Sequence, residues 1–351
     1  MRIAFYISGH GFGHASRSIE LIRALMTRRP DTRVVVRTAA PRWLFGALAG
    51  GHASTIDVQA VEADTGIVQV DSLRLDEEDT VRQAARFYAT FDRRVAGEAD
   101  LLQRERADLV IGDIPPLAFA AAAHAGVPSA AVANFTWDWI YSIYPAFDRL
   151  AREVMPLVQR SYATATRALR LPLHGGFEPM AAVTSDIPFI ARRSARDPAD
   201  TRRLLGLDAD RPIVLPSFGA YGADLPIARL RHSDRLTMIE PVQNLPHGLL
   251  YQDLVAAADV VVSKPGYGIV SDCIANGTAL LYTSRGRFVE YDMFVEEMPR
   301  VLRCRYISQE DLLAGRWADA VEALLGQPSP PERPRVDGAD VAADAIIELI
   351  G

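Results

Sequence analysis

The chain alternates short unbroken apolar runs with longer stretches of helical spacing. Ile3 to Ile7 is followed by a segment whose apolar residues Ile19, Ile22, Leu25 and Met26 fall on one helical face. The strand Arg33 to Arg37, a helix near Trp43 to Leu48, the strand Leu109 to Ile111, a helix over Pro116 to Ala125 and the strand Ser129 to Ala133 continue the series. Strands that are apolar throughout, separated by helices, predict right-handed crossovers and a mostly parallel sheet covered on both faces. Leu73 to Arg106 reads as a pair of surface helices. A second series begins near Ile213: strands Ile213 to Ser217 and Leu236 to Glu240, helix Tyr251 to Ala257, strand Asp259 to Ser263, helix Ile269 to Ala275 and strand Ala279 to Thr283. The proline- and glycine-rich stretch Leu171 to Pro198 is expected to link the halves, and Pro328 to Pro334 is a second break. An amphipathic helix, Val341 to Ile350, closes the chain. The expectation is therefore an α/β protein with an N-terminal domain over 1–180, a C-terminal domain over 181–335 and a terminal helix over 336–351 that packs back on the first domain.

At 351 residues the chain is long enough for two cores, and 49% hydrophobic residues describe a globular protein. No apolar stretch reaches the ~20 residues needed to span a bilayer, and the N-terminus has a strand pattern, so a cytoplasmic location is expected. A formal net charge of -6 argues against nucleic acid as a partner. The two cysteines, Cys273 and Cys304, are read as reduced thiols. His52, His124, His174, His232 and His247 lack ligand spacing, so no metal centre is expected. Lys264 is the only lysine in the chain.

Two glycine-bearing turns carry the candidate chemistry. Ser8-Gly-His-Gly-Phe-Gly-His14 follows the first strand, and Ser263-Lys-Pro-Gly-Tyr-Gly-Ile-Val-Ser-Asp272 follows Val260 to Val262. A strand, tight loop and helix in that order turn unpaired amides and a partial positive charge toward an incoming anion. Gly266 and Gly268 let the backbone approach a diphosphate, Ser271 offers a hydroxyl, and Lys264 adds a charge. Asp272, about one turn into the helix, can accept hydrogen bonds from vicinal hydroxyls or stabilise the helix dipole. Ser217, Phe218 and Gly219 form the opposite lip, and Arg285-Gly-Arg287 a third. In the first half, His10 and His14 have the imidazole chemistry of a general base, with the choice between them open. Asp113, at a strand's C-terminal end, is the orienting partner. Asn134, Trp137, Asp138 and Trp139 combine aromatic faces with polar groups, as a carbohydrate pocket does, beside Gly11, Phe12 and Gly13.

The run Ala258 to Gly277 resembles the donor-binding domain of GT-B glycosyltransferases, particularly the branch containing the peptidoglycan lipid-intermediate GlcNAc transferase. Gly9-His-Gly-Phe-Gly-His14 is similar to that family's first glycine loop. Over nearly the whole chain, Asp113 with its double proline, Asn134-Phe-Thr-Trp-Asp-Trp139, Lys264-Pro-Gly-Tyr-Gly-Ile-Val-Ser271 and Arg285-Gly-Arg-Phe288 resemble the glycosyltransferase-like N-terminal region of L-arabinokinases, without the kinase half. The resemblance implies two Rossmann-like domains facing across a cleft, with a nucleoside-diphosphate sugar, UDP-linked, as donor substrate. It implies that Asp272 holds the ribose, that the Ser217 loop and Tyr267 line the donor site, and that Glu290, Tyr291 and Asp292 meet the donated sugar. It also implies a histidine–aspartate dyad acting on an acceptor hydroxyl. The expected activity is sugar transfer with inversion, no obligatory cofactor or metal, and a possible homodimer. A nucleotide-sugar 2-epimerase and a non-catalytic nucleotide-sugar sensor are the alternatives.

Overall fold

The computed structural model describes residues 1–48, 55–219, 222–240, 245 and 248–350. His52 and His247 lie outside them. Seven strands form the first sheet: β1 (Arg2–Ile7), β2 (Arg33–Thr38), β3 (Ile56–Ala60), β4 (Leu109–Asp113), β5 (Ser129–Phe135), β6 (Arg167–Gly175) and β7 (Thr184–Asp186). Their spatial order is β3-β2-β1-β4-β5-β6-β7, and every pair is parallel. The second sheet contains β8 (Ile213–Ser217), β9 (Thr237–Met238), β10 (Val260–Ser263), β11 (Ala279–Tyr282) and β12 (Cys304–Tyr306). It is also parallel throughout, in the order β12-β11-β10-β8-β9.

Both orders reverse direction at one place. In the first sheet the chain leaves β1 toward β2 on one side and returns through β4 on the other; in the second the reversal falls between β8 and β10. Crevices open at the C-terminal ends of strands at such reversals. The first glycine loop follows β1, and register sets Ile7 beside Asp113 at the end of β4. The second loop follows β10, where Ser263 lies beside Ser217 at the end of β8. Topology therefore delivers both loops to the positions where a parallel α/β fold binds ligands.

The expected linker is partly sheet. The C-terminal half of β6 and all of β7 fall inside Leu171 to Pro198, so the first sheet runs a little past residue 180. Pro172 is tolerated because the β5–β6 register shifts between Ala133 and Phe135, and a proline without an N–H fits such an irregularity. The surface helices also start later than the pattern predicts, at Glu77–Tyr88 and Phe91–Glu105. The C-terminal helix Gly338–Ile350 packs on the helix Gly13–Arg28: Ala342, Ala343 and Ile346 are buried, and Arg28 donates to Asp340 at 2.8 Å and to Asp344 at 2.5 Å. Among the described residues no helix is long and apolar enough to cross a membrane.

Candidate functional site

Two helix N-termini meet where the sheets face each other. The helices Gly13–Arg28 and Tyr267–Asn276 both start without a side-chain cap, so their first-turn amides have no side-chain acceptor. Their backbones nearly touch, since a Cβ built on Gly268 would lie 3.3 Å from the Gly13 Cα. Glycine at both positions makes this approach possible. Two positive dipole ends in opposition favour negative charge between them.

On the N-terminal side, His14 and Asp113 are brought together. Nδ1 of His14 lies 2.8 Å from Oδ1 of Asp113, and the two residues are 6% and 2% exposed. Among the described residues none hydrogen-bonds Nε2 of His14. Arg17, one turn further along the helix, donates Nε to Asp113 Oδ2 at 2.6 Å and Nη2 to Oδ1 at 2.5 Å; Ser18 Oγ adds a bond to Oδ2 at 3.1 Å. Burial opposes ionisation of Asp113, but Arg17 and His14 outweigh it and hold the carboxyl down to about 2. Arg17 was not singled out in the sequence; its spacing of three from His14 on one helix is the signal that could have found it. Its Nη1 donates to Asn134 Oδ1 at 2.6 Å, and Asn134 Nδ2 in turn donates to Glu290 Oε1 of the other domain at 2.8 Å. The guanidinium also lies 5.0 Å from the centre of the Tyr267 ring.

His10 is placed differently. Its Nδ1 accepts from the Ile67 amide at 3.3 Å, its Nε2 lies 3.0 Å from Gln69 Nε2, and its ring meets Trp137 edge-on. Burial, with Arg285, His14 and Lys264 nearby, pushes its pKa well below the usual histidine range. Of the two histidines, His14 has the carboxylate partner. Asp64, a second residue missed in the sequence, sits below the same loop and accepts from Ser8 Oγ at 3.1 Å and Trp137 Nε1 at 2.8 Å. Burial raises its pKa to about 6 although both bonds favour the carboxylate.

The expected sugar-stacking wall is largely core. Trp137 is fully buried against Phe135 and Tyr141, which leaves neither indole face open to a carbohydrate. Trp139 lies over Gly175 and Gly176, where a Cβ would collide with its side chain. Asp138 is buried with Oδ1 unpartnered, and its pKa is raised by burial. Asn134 is fully buried in the interdomain network described above. At the mouth of the loop, Phe12 instead meets Trp43 edge-on at 5.4 Å, and Trp43 is 66% exposed. Gly11 turns the loop with φ +77°.

On the C-terminal side the predicted residues surround the second loop, with partners of their own. Asp272 is buried; its Oδ1 accepts from the Arg192 amide at 2.9 Å and its Oδ2 from Arg192 Nε and Nη2 at 3.0 and 2.5 Å. Three of the roughly four acceptor positions of a carboxylate are thus taken. Ser271 Oγ donates back to Gly268 O at 3.1 Å rather than toward the loop mouth. Tyr267 OH accepts from the Ile190 amide at 3.1 Å. Ser217 Oγ bonds Tyr251 OH, and Gly219 turns the chain with φ +65°. Lys264 Nζ donates to Gln69 Oε1 at 2.8 Å; burial and Arg285 bring its pKa down to about 7. Arg285 is buried over Phe288, with Nε unpartnered and its closest carboxylate, Glu290, 3.9 Å away. Arg287 is exposed at the rim, 3.8 Å from Glu77.

A strap from the first domain crosses this region. Besides His10 and Lys264, residues 64–76 reach the far lip, where Ser72 Oγ donates to Phe218 O at 2.5 Å. Leu73 is buried in the same apolar cluster as Val214, Phe218, Leu230 and Val262 of the second domain. Among the described residues no group of three or more His, Cys, Asp or Glu could hold a metal ion.

Two parallel α/β domains with opposed glycine loops define the GT-B architecture of glycosyltransferases. The comparisons agree: residues 1–146 match the model of glycosyl transferase family 1. The L-arabinokinase of Arabidopsis thaliana is 29% identical over 367 residues, covering 98% of this chain but 34% of the relative, so the chain spans about a third of that protein's length. The calicheamicin glycosyltransferase CalG4 superposes with a TM-score of 0.63 at 16% identity, covering 100% of this chain and 98% of that one. Phytolacca americana UGT2, solved with UDP-2-fluoro-glucose and pterostilbene, gives 0.58 at 14% identity over 99% and 94%.

Proposed function

We propose that this protein transfers a sugar from a nucleoside-diphosphate sugar, UDP-linked, to an acceptor hydroxyl, with inversion and without an obligatory metal. The observation that carries the reading is the 2.8 Å contact between His14 and Asp113 beside two opposed, uncapped helix N-termini. In this reading His14 Nε2 removes the acceptor proton as the hydroxyl attacks the anomeric carbon, while Asp113 holds the ring by Nδ1. The departing diphosphate lies against the amides of Gly266 to Ser271, opposite Ser217, Phe218 and Gly219. Lys264 and Arg285 supply the charge that a metal would otherwise supply, and Arg287 assists from the rim. Gln69 must leave Lys264 when the donor enters. Asp272 shares its remaining acceptor position with the ribose, and Glu290 faces the transferred sugar. Gly11, Phe12, Gly13 and Trp139, joined by Trp43, border the acceptor. UGT2, solved with a UDP-sugar analogue, and the glycosyltransferase VinC, solved with dTDP, support a nucleoside-diphosphate donor, and uridine is the choice that the sequence resemblance favours.

The test is incubation with labelled nucleoside-diphosphate sugars, with and without a panel of hydroxyl acceptors. Nucleotide release that depends on an added acceptor is the expected result. Rearrangement of the sugar without an acceptor would point to epimerisation, and binding without turnover would remove the enzymatic reading.

A further inference from the structure

The site holds a buried cation that the transfer chemistry above does not use. Arg17 spends two bonds on Asp113, at 2.6 and 2.5 Å, and its Nη2 also lies 3.0 Å from His14 Nδ1. This matters because a buried carboxylate beside an imidazole favours the imidazolium form. A base already protonated at neutral pH cannot accept a proton from a hydroxyl. Guanidinium is permanently charged, so Arg17 cancels Asp113 without removing it as a hydrogen-bond acceptor. Nη2 is closer to Asp113 Oδ1 than to His14 Nδ1, and a carboxylate is the stronger acceptor. Nη2 carries two hydrogens, so the deciding contact is the 2.8 Å one between Nδ1 of His14 and Oδ1 of Asp113: an ionised carboxylate only accepts, and Nδ1 is the atom that donates.

We infer that Arg17 is a positioning residue: by neutralising Asp113 it keeps His14 uncharged, with hydrogen on Nδ1 and Nε2 free to accept a proton. The inference rests on the reading of His14 as the base. Other charges near His14 come from several elements. Asp64 and His10 face it from the strap and the first loop, and Tyr267 and Glu290 face Arg17 from the second domain. Those groups are common to wild type and to Arg17 variants, so the difference between the proteins isolates the guanidinium. The anchors from Arg17 to Asn134, and from Asn134 to Glu290, tie this setting to the facing of the two domains.

NMR of the full chain with labelled histidine tests it, His14 being assigned by signal loss in His14→Gln. In wild type at neutral pH the expected tautomer carries hydrogen on Nδ1. In Arg17→Gln the midpoint of His14 protonation rises by about one pH unit, a tenfold change, or more. In Arg17→Lys, which keeps the charge, it stays close to wild type, and the acid limb of kcat/KM follows the same pattern. An unmoved midpoint in folded Arg17→Gln, or an Nε2–H tautomer in wild type, overturns the inference. The wild-type tautomer alone decides if Arg17→Gln does not fold. The expected NMR result without any sugar transfer would instead overturn the transferase reading and leave the role of Arg17 standing.

Discussion

The two glycine loops have the same construction, yet their charged residues are used in opposite ways. After β1, the loop brings His14 to a carboxylate at the end of the neighbouring strand and leaves Nε2 without a hydrogen-bond partner among the described residues. After β10, the carboxylate of Asp272 is turned onto Arg192, and the ammonium of Lys264 onto Gln69 of the other domain. The first loop presents a reactive group; the second holds its charges on internal partners of unequal strength. Asp272–Arg192 is a multiply bonded ion pair with the carboxylate buried and the guanidinium 22% exposed, whereas Lys264–Gln69 is one bond to a neutral amide. A ligand can exchange for the second far more easily than for the first, which leaves Lys264 able to turn to a phosphate while Asp272 stays on Arg192.

The sharpest way to break this contrast is Asp272→Ala. Removing one partner strands a largely buried Arg192 and is expected to cost about 3–5 kcal/mol in urea unfolding. A fully stable variant with weakened donor binding would remove the structural role on Arg192 and leave Asp272 as a ribose ligand alone. Next comes His14→Ala, expected to lower turnover by about 10²-fold or more with donor affinity near wild type in calorimetry. Unchanged turnover would remove the histidine from the reaction.

Lys264 gives an effect of about tenfold. Its pKa is down to about 7, so the ammonium is present below that pH and lost above it. Affinity for a nucleoside diphosphate should therefore fall as pH rises beyond 7, by up to about tenfold per unit, and Lys264→Met should flatten the profile. Gln69→Ala, which releases the ammonium, should tighten binding by about tenfold, the scale of one hydrogen bond to a charged group. The smallest change is expected outside both loops. The carboxylates that Arg28 meets on the C-terminal helix are 60% exposed, and Arg28→Ala should cost about 0–1 kcal/mol in the same unfolding experiment.

Much of the architecture was legible because buried parallel strands are apolar without interruption. Ile3 to Ile7 and Val260 to Val262 announce β1 and β10, and the turns after them announce the loops. β6 was hidden by Pro172, whose cost the shifted register removes. The strap was hidden because residues 64–76 have no periodic pattern, and what defines them is contact with another domain. The site divides along the same line. Residue type and strand-end position pointed to His14 and Asp113, and the structure brings them together. Asp64, Gln69 and Arg192 take their meaning from partners between 56 and 195 positions away, which no local pattern encodes, whereas Arg17 shares a helix with His14 and only its carboxylate partner, 96 positions away, is out of local reach. Trp137 beside Asn134 and Asp138 has the composition of a carbohydrate pocket, but the Asp64 carboxylate that satisfies its indole N–H lets it sink into the core.

Calorimetric titration of the full chain with UDP and UDP-sugars at neutral pH tests the central claim most directly. One binding site per chain is predicted, weakened about tenfold in Lys264→Met. No heat at millimolar ligand, or binding indifferent to Lys264, would contradict it.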